Sequence, residues 1–198
     1  MPPMTRSTAL VFVVLGAALA GFAFSSATGK FRDKKPDTTP TVAASPQTAE
    51  LHWVEPYGNP GEQLVFGVER LRVTEAGWRA WLVLTNHTSI SYEVGDPATL
   101  DRAFGLMLFR TGETHELERR NRDGMLPATR PAVRYDPSLP KILEPGASWK
   151  GQISAPGALV ARSWVRVVFG TLVAVGTPEN GLDDSVVWIT DNAYQLEP

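Results

Sequence analysis

Residues that could do chemistry are few, and none sits in a complete constellation. Ser138-Leu139-Pro140-Lys141 has the spacing that puts a lysine one helical turn from a serine nucleophile. Pro137 and Pro140 oppose a helix there, and the S-D-N and K-T-G companions of that motif are absent. Gly146-Ala147-Ser148-Trp149-Lys150 lacks the second glycine of a nucleophile elbow. His115-Glu116-Leu117-Glu118 opens like a zinc-protease helix, but Arg119 stands where the second imidazole is needed. The three histidines, His52, His87 and His115, lie in separate segments and are read as solvated turn residues, although three imidazoles brought together could hold zinc. Glu179, Asn180, Asp183, Asp184 and Asp191 gather oxygen ligands without the spacing of an EF-hand, as an ordinary acidic loop does. The chain has no cysteine, which excludes disulfides, thiolate metal sites and a cysteine nucleophile. No catalytic residue, metal or cofactor is assigned, and the chain is read as a non-enzyme. A metal-dependent or hydrolytic enzyme built from the scattered histidines and carboxylates is the alternative, and a structural spacer is a third.

Binding is the chemistry that remains. Six tryptophans are present, and most are expected in the core. Trp78 and Trp81 lie three apart in an alternating run, so they should point to opposite faces, with one nearer the surface. Residues 110–140 hold Arg119, Arg120, Arg122, Arg130 and Arg134, balanced in part by Glu113, Glu116 and Glu118. Tryptophan and arginine are the residue types enriched at binding hot spots. Those five arginines with Trp81 form the candidate contact set. The formal net charge is −2, but Arg6, Lys30, Arg32, Lys34 and Lys35 face only Asp33 and Asp37 before residue 50. The remainder is therefore acidic, which argues against nucleic acid as a partner.

The elements that must position these residues are strands. In residues 64–86, Trp78, Ala80, Leu82 and Leu84 alternate with Arg79, Trp81, Val83 and Thr85, the period of a strand with one face on a core. Before them Leu64, Phe66 and Val68 share one parity while Leu71 and Val73 have the other, which predicts a bulge at Glu69-Arg70. The turn Thr74 to Gly77 joins the two runs into a hairpin. Further strands are expected at 51–55, 90–94, 104–109, 149–153, 164–175 and 186–190, with a bulge or bend at Gly170. Seven or eight short strands punctuated by turns predict an all-β domain over residues 50–198, arranged as a β-sandwich. Residues 110–140 are read as a long loop, and no helical period is visible beyond the N-terminus. Asn86-His87-Thr88 is a glycosylation sequon by pattern.

Thr8 to Phe24 is a long uncharged apolar run, with Ser25 and Ala27 where a leader is cut. Residues 1–29 are read as a signal peptide or transmembrane anchor, and 30–49 as a flexible linker with Pro36, Pro40 and Pro46 among Thr, Ser and Ala. Lys30 to Lys35 beyond the run favours the opposite orientation by the positive-inside tendency. The expectation is export, with the domain held at the membrane outside the cytosol, or secreted if the leader is cleaved. The leader, the stalk, Val83 to Asn86 at a strand end and Leu143 to Gly151, LEPGASWKG, resemble bacterial exported immunoglobulin-like domains. That resemblance implies an immunoglobulin-like β-sandwich and brings no catalytic residues. The function expected is binding of an envelope protein or a surface polymer.

Overall fold

Pro60-Gly61 and Glu75-Ala76 are two-residue turns, and they fold three long strands into a meander. The computed structural model describes residues 42–95, 104–178 and 181–198. β1 (Gln47–Asn59), β2 (Glu62–Thr74) and β3 (Gly77–Asn86) pair antiparallel in sequence order. Pro60 presets its own φ and Gly61 has φ +96°, the pair a type II turn demands. The β2–β3 register shifts between Val68 and Arg70, so Glu69 is the extra residue. That bulge is what lets Leu64, Phe66 and Val68 share the core with Leu71 and Val73 despite their opposite parity. β1 carries a matching shift between Glu50 and Trp53, where His52 takes a φ of 51°.

Downstream come β4 (Ser91–Val94), β5 (Gly105–Phe109), α1 (Thr114–Arg122), β6 (Arg130–Pro131), β7 (Arg134–Asp136), β8 (Ile142–Leu143), β9 (Ser148–Pro156), β10 (Trp164–Val175), β11 (Ser185–Ile189) and β12 (Tyr194–Gln195). The first sheet has the order β1-β2-β3-β9-β7. The second runs β6-β5-β10-β4-β8, with β11 and β12 also on β10. Every pairing is antiparallel. The protein is thus mostly β, built from two antiparallel sheets.

The sheets meet through aromatic side chains. Phe66 of the first sheet stacks on Trp188 of the second at 5.2 Å between ring centroids and meets Phe169 edge-on at 5.0 Å. Leu82, Leu84, Ile153, Leu106 and Val167, all fully buried, fill the space around them. β10 is buried without a break from Val165 to Leu172 because both of its faces are covered. Val165, Val167, Phe169 and Leu172 join the inter-sheet core, while Val168 packs outside it with Met107, Phe109, Ile189 and Leu117 of α1. The parity change between Phe169 and Leu172 is a register shift at Gly170, the bend its glycine predicts.

Three sequence expectations change. Residues 110–140 are not a patternless loop, because α1, β6 and β7 lie within them. The helix is short and buries only Leu117, so it shows no apolar stripe to read. The packed body reaches back beyond residue 50, since β1 begins at Gln47, Ala44 is buried and Ala43 bridges Val160. Asn86 is no free sequon: its amide nitrogen donates to the carbonyls of Ile90 (2.7 Å) and Leu143 (3.0 Å), and its oxygen accepts from Thr88. A fully buried side chain that closes a turn is not presented for modification. The Thr8–Phe24 segment lies outside the described residues. Among those described, no helix is long and apolar enough to cross a membrane.

Candidate anion-binding face and a buried charge clamp

The outward parity of the first sheet collects cations. Arg70 and Arg72 on β2 and Arg79 on β3 are exposed, Arg72 and Arg79 each between residues buried in the core and Arg70 beside the bulge at Glu69. The register places them in two rows across the strands. One row runs Arg72–Arg79–Ser154–Arg134, the next Arg70–Trp81–Gln152–Asp136. Arg72 and Arg79 are directly opposite, and like charges in that relation repel.

The carboxylates of the face are committed elsewhere. Glu50 pairs with Arg70 at 2.5 Å and Glu69 with Lys150 at 2.7 Å. Asp136 accepts the Gln152 amide at 3.0 Å. Among the described residues, Arg72, Arg79 and Arg134 have no carboxylate within ion-pair distance. Trp81, half-buried, has the guanidinium of Arg70 at 5.3 Å and that of Arg79 at 5.9 Å from its ring centroid. The ring quadrupole holds both cations in place without neutralising them. Trp78, three residues before it, is buried in the core, as the two-residue period predicts.

The same face is concave. A cavity of about 930 Å³ lies against β7 and residues 138–141, and a second of about 640 Å³ lies against the β2–β3 turn. Both are lined by Arg79, Val133, Arg134 and Ser154, so they adjoin. Arg72 borders one and Lys141 the other. Ser138 and Lys141, the S-x-x-K pair, lie in irregular backbone and contribute to the groove wall. Trp149 fixes that wall by donating its indole N–H to the carbonyls of Pro137 (3.3 Å) and Ser138 (3.2 Å).

Of the six expected contact residues, only Arg134 and Trp81 lie on this face. Arg119, Arg120 and Arg122 form the last turn of α1, whose buried Leu117 packs on the outer side of the second sheet. Arg119 and Arg120 both grip Glu116, which holds that carboxyl below its ordinary pKa. Arg130 lies in β6 of the second sheet and donates to the Ala158 carbonyl at 3.1 Å. The arginines that sequence reading missed are Arg70, Arg72 and Arg79. Their signal was parity: all three sit at outward positions of a hairpin already evident from its core residues.

A second charged constellation is buried. Arg166 is fully inaccessible, with its guanidinium 5.4 Å from the Phe109 ring centroid. It donates to the carbonyls of Thr190 (2.6 Å), Gly112 (2.9 Å) and Asp191. Glu55 accepts from the Trp188 indole (2.7 Å), the Asp191 and Asn192 amides (2.9 and 3.0 Å) and the Asn192 side chain (2.7 Å). The cation thus holds carbonyls of residues 190–191 and the anion holds N–H groups of residues 191–192. Burial lowers the Arg166 pKa. The Asp191 pKa is raised, by desolvation first and by Glu55 second. The clamp fastens the C-terminal segment, with the Arg166 Nε its one buried donor left without a partner among the described residues.

The histidines are dispersed: His52 on β1, His87 just after β3, and His115 on α1 beside Glu113 at 3.2 Å. Among the described residues no three His, Cys, Asp or Glu side chains converge as metal ligands would. No model of a known family matches the chain, and no match is found among curated proteins or solved structures.

Proposed function

We propose that this protein is a non-enzymatic binding domain, an immunoglobulin-like β-sandwich held at the membrane outside the cytosol by its N-terminal segment, whose outer arginine face captures an anionic component of the envelope. One observation carries the reading: Arg72, Arg79 and Arg134 share a row across the first sheet, with no carboxylate partner among the described residues. Two directly opposed guanidiniums cost stability, of order 0.2–1 kcal/mol, and a bound anion relieves that cost. Two antiparallel sheets sharing one core support the sandwich, and the apolar run Thr8 to Phe24 supports the tether.

The test has two parts. Protease added to intact cells should digest the domain, and digestion only after lysis would place it inside. Cross-linking in isolated envelopes should join the wild-type chain, but not a R72E/R79E/R134E variant, to an envelope component. Equal capture by both would remove the face from consideration.

A further inference from the structure

Resting on that reading, we infer that the groove across β2, β3, β9 and β7 is a site for a linear anionic glycan or its polyol counterpart, a chain of sugar or sugar-alcohol units bearing carboxylate or phosphate groups. Neighbouring strands lie about 4.8 Å apart, so the three strand intervals from Arg72 to Arg134 span about 14 Å. One small anion cannot reach all the cations of that row, whereas a chain carrying several acidic groups can. Between Arg79 and Arg134 stands Ser154, a neutral side chain that hydrogen-bonds. Guanidiniums flanking a hydroxyl match a ligand that carries hydroxyls between its anions. Arginine adds bidentate geometry for either carboxylate or phosphate.

The groove disfavours the two other polyanions. A membrane surface is met by protruding basic segments, but here Arg79 and Arg134 line a concavity of about 930 Å³. An acidic peptide docks most readily by adding a strand to a free sheet edge. The groove's centre crosses β3 and β9, which have neighbours on both sides, and β7, where the sheet order ends, is only three residues long, too short to template a strand. Recognition over β3 and β9 rests on side chains.

The experiment uses the full chain in phosphatidylcholine nanodiscs. Affinity is measured by calorimetry for polygalacturonate, poly(glycerol phosphate), neutral dextran, poly-glutamate and phosphatidylglycerol vesicles. Polygalacturonate or poly(glycerol phosphate) should bind, with affinity falling as salt rises, and dextran should not. Which of the two binds tighter identifies the acidic group. R79A/R134A should weaken binding about tenfold or more, as loss of two charge-assisted contacts implies. R79K/R134K, which keeps the charges and loses the fork, should fall between. It also serves as the working variant should the alanine pair fail to fold. Tighter arginine-dependent binding to poly-glutamate or to the vesicles overturns the glycan while leaving the anion-binding face standing. Equal affinity of wild type and variants for every probe overturns both.

Discussion

Arg166 and Arg79 are the same residue type in opposite settings, and the contrast separates a charge tied into the fold from one left at the surface. Arg166 is fully buried, and the Thr190, Asp191 and Gly112 carbonyls hold its guanidinium. Arg79 is exposed, faces Arg72 across the strands and lies over an aromatic ring. A charge buried in a protein must be hydrogen-bonded or paired, because desolvation otherwise costs several kcal/mol. A charge at the surface is hydrated and needs no pairing from the fold. The clamp fastens residues 190–192, whereas the arginine row stays open to an anion from outside the chain, as proposed above.

The comparison breaks most visibly at Arg166. Arg166→Ala takes the donor away from the buried Thr190 carbonyl and the half-buried Asp191 and Gly112 carbonyls, and leaves Glu55 without a nearby cation, so stability should drop by about 3–5 kcal/mol. Urea unfolding measures this, and a loss below about 1 kcal/mol would mean the clamp is not structural. Glu55→Gln should cost less, about 1–3 kcal/mol, because the amide oxygen keeps only part of the four-donor set.

The opposite sign is expected across the sheet. Arg79→Glu places an anion against Arg72 and should raise stability by about 0.2–1 kcal/mol while abolishing anion binding. A fall in the urea midpoint would show that Arg79 is tied into the fold after all. Trp81→Phe should leave both stability and binding nearly unchanged, since a ring remains beneath the guanidiniums. Trp81→Ala should lower affinity several-fold by releasing Arg79, about 0.5–1 kcal/mol for an exposed contact.

The smallest effect is a pH dependence at α1. The Glu116 pKa is lowered by the hydrogen bonds from Arg119 and Arg120. A carboxyl lowered on folding stabilises the native state fully above its unfolded value, 4.5, and loses that contribution as pH falls through the folded value. Amide protection in α1, taken relative to the intrinsic exchange rate at each pH, should therefore fall below pH 4.5 before that of the sheets, and simultaneous loss in helix and sheets would contradict it.

Much of the fold was legible because its causes are local. The parity slip at Glu69, Gly170 inside an apolar run and the Trp78/Trp81 spacing each predict a feature now seen at that residue. The helix was not legible, because a nine-residue segment with one buried residue carries no period. Arg166 was hidden for a different reason: in WVRVVFG it reads as the polar face of a strand, and the Phe109 ring with residues 112, 190 and 191, distant in sequence, encloses it. The site was half legible. Trp81 and Arg134 come from segments 53 residues apart in number, and only the β3–β9–β7 pairing brings them to one surface. Arg70, Arg72 and Arg79 needed nothing beyond the hairpin register. Weighing arginine density in residues 110–134 above strand parity directed attention to α1 instead.

Arginine-selective labelling with phenylglyoxal, compared between isolated envelopes and the purified full chain, tests the central claim most directly. The account predicts that Arg72, Arg79 and Arg134 are protected in the envelope and become reactive on purification, while Arg119 and Arg122 react equally in both. Protection confined to α1, or identical labelling of the Arg72–Arg79–Arg134 row in both preparations, would contradict it.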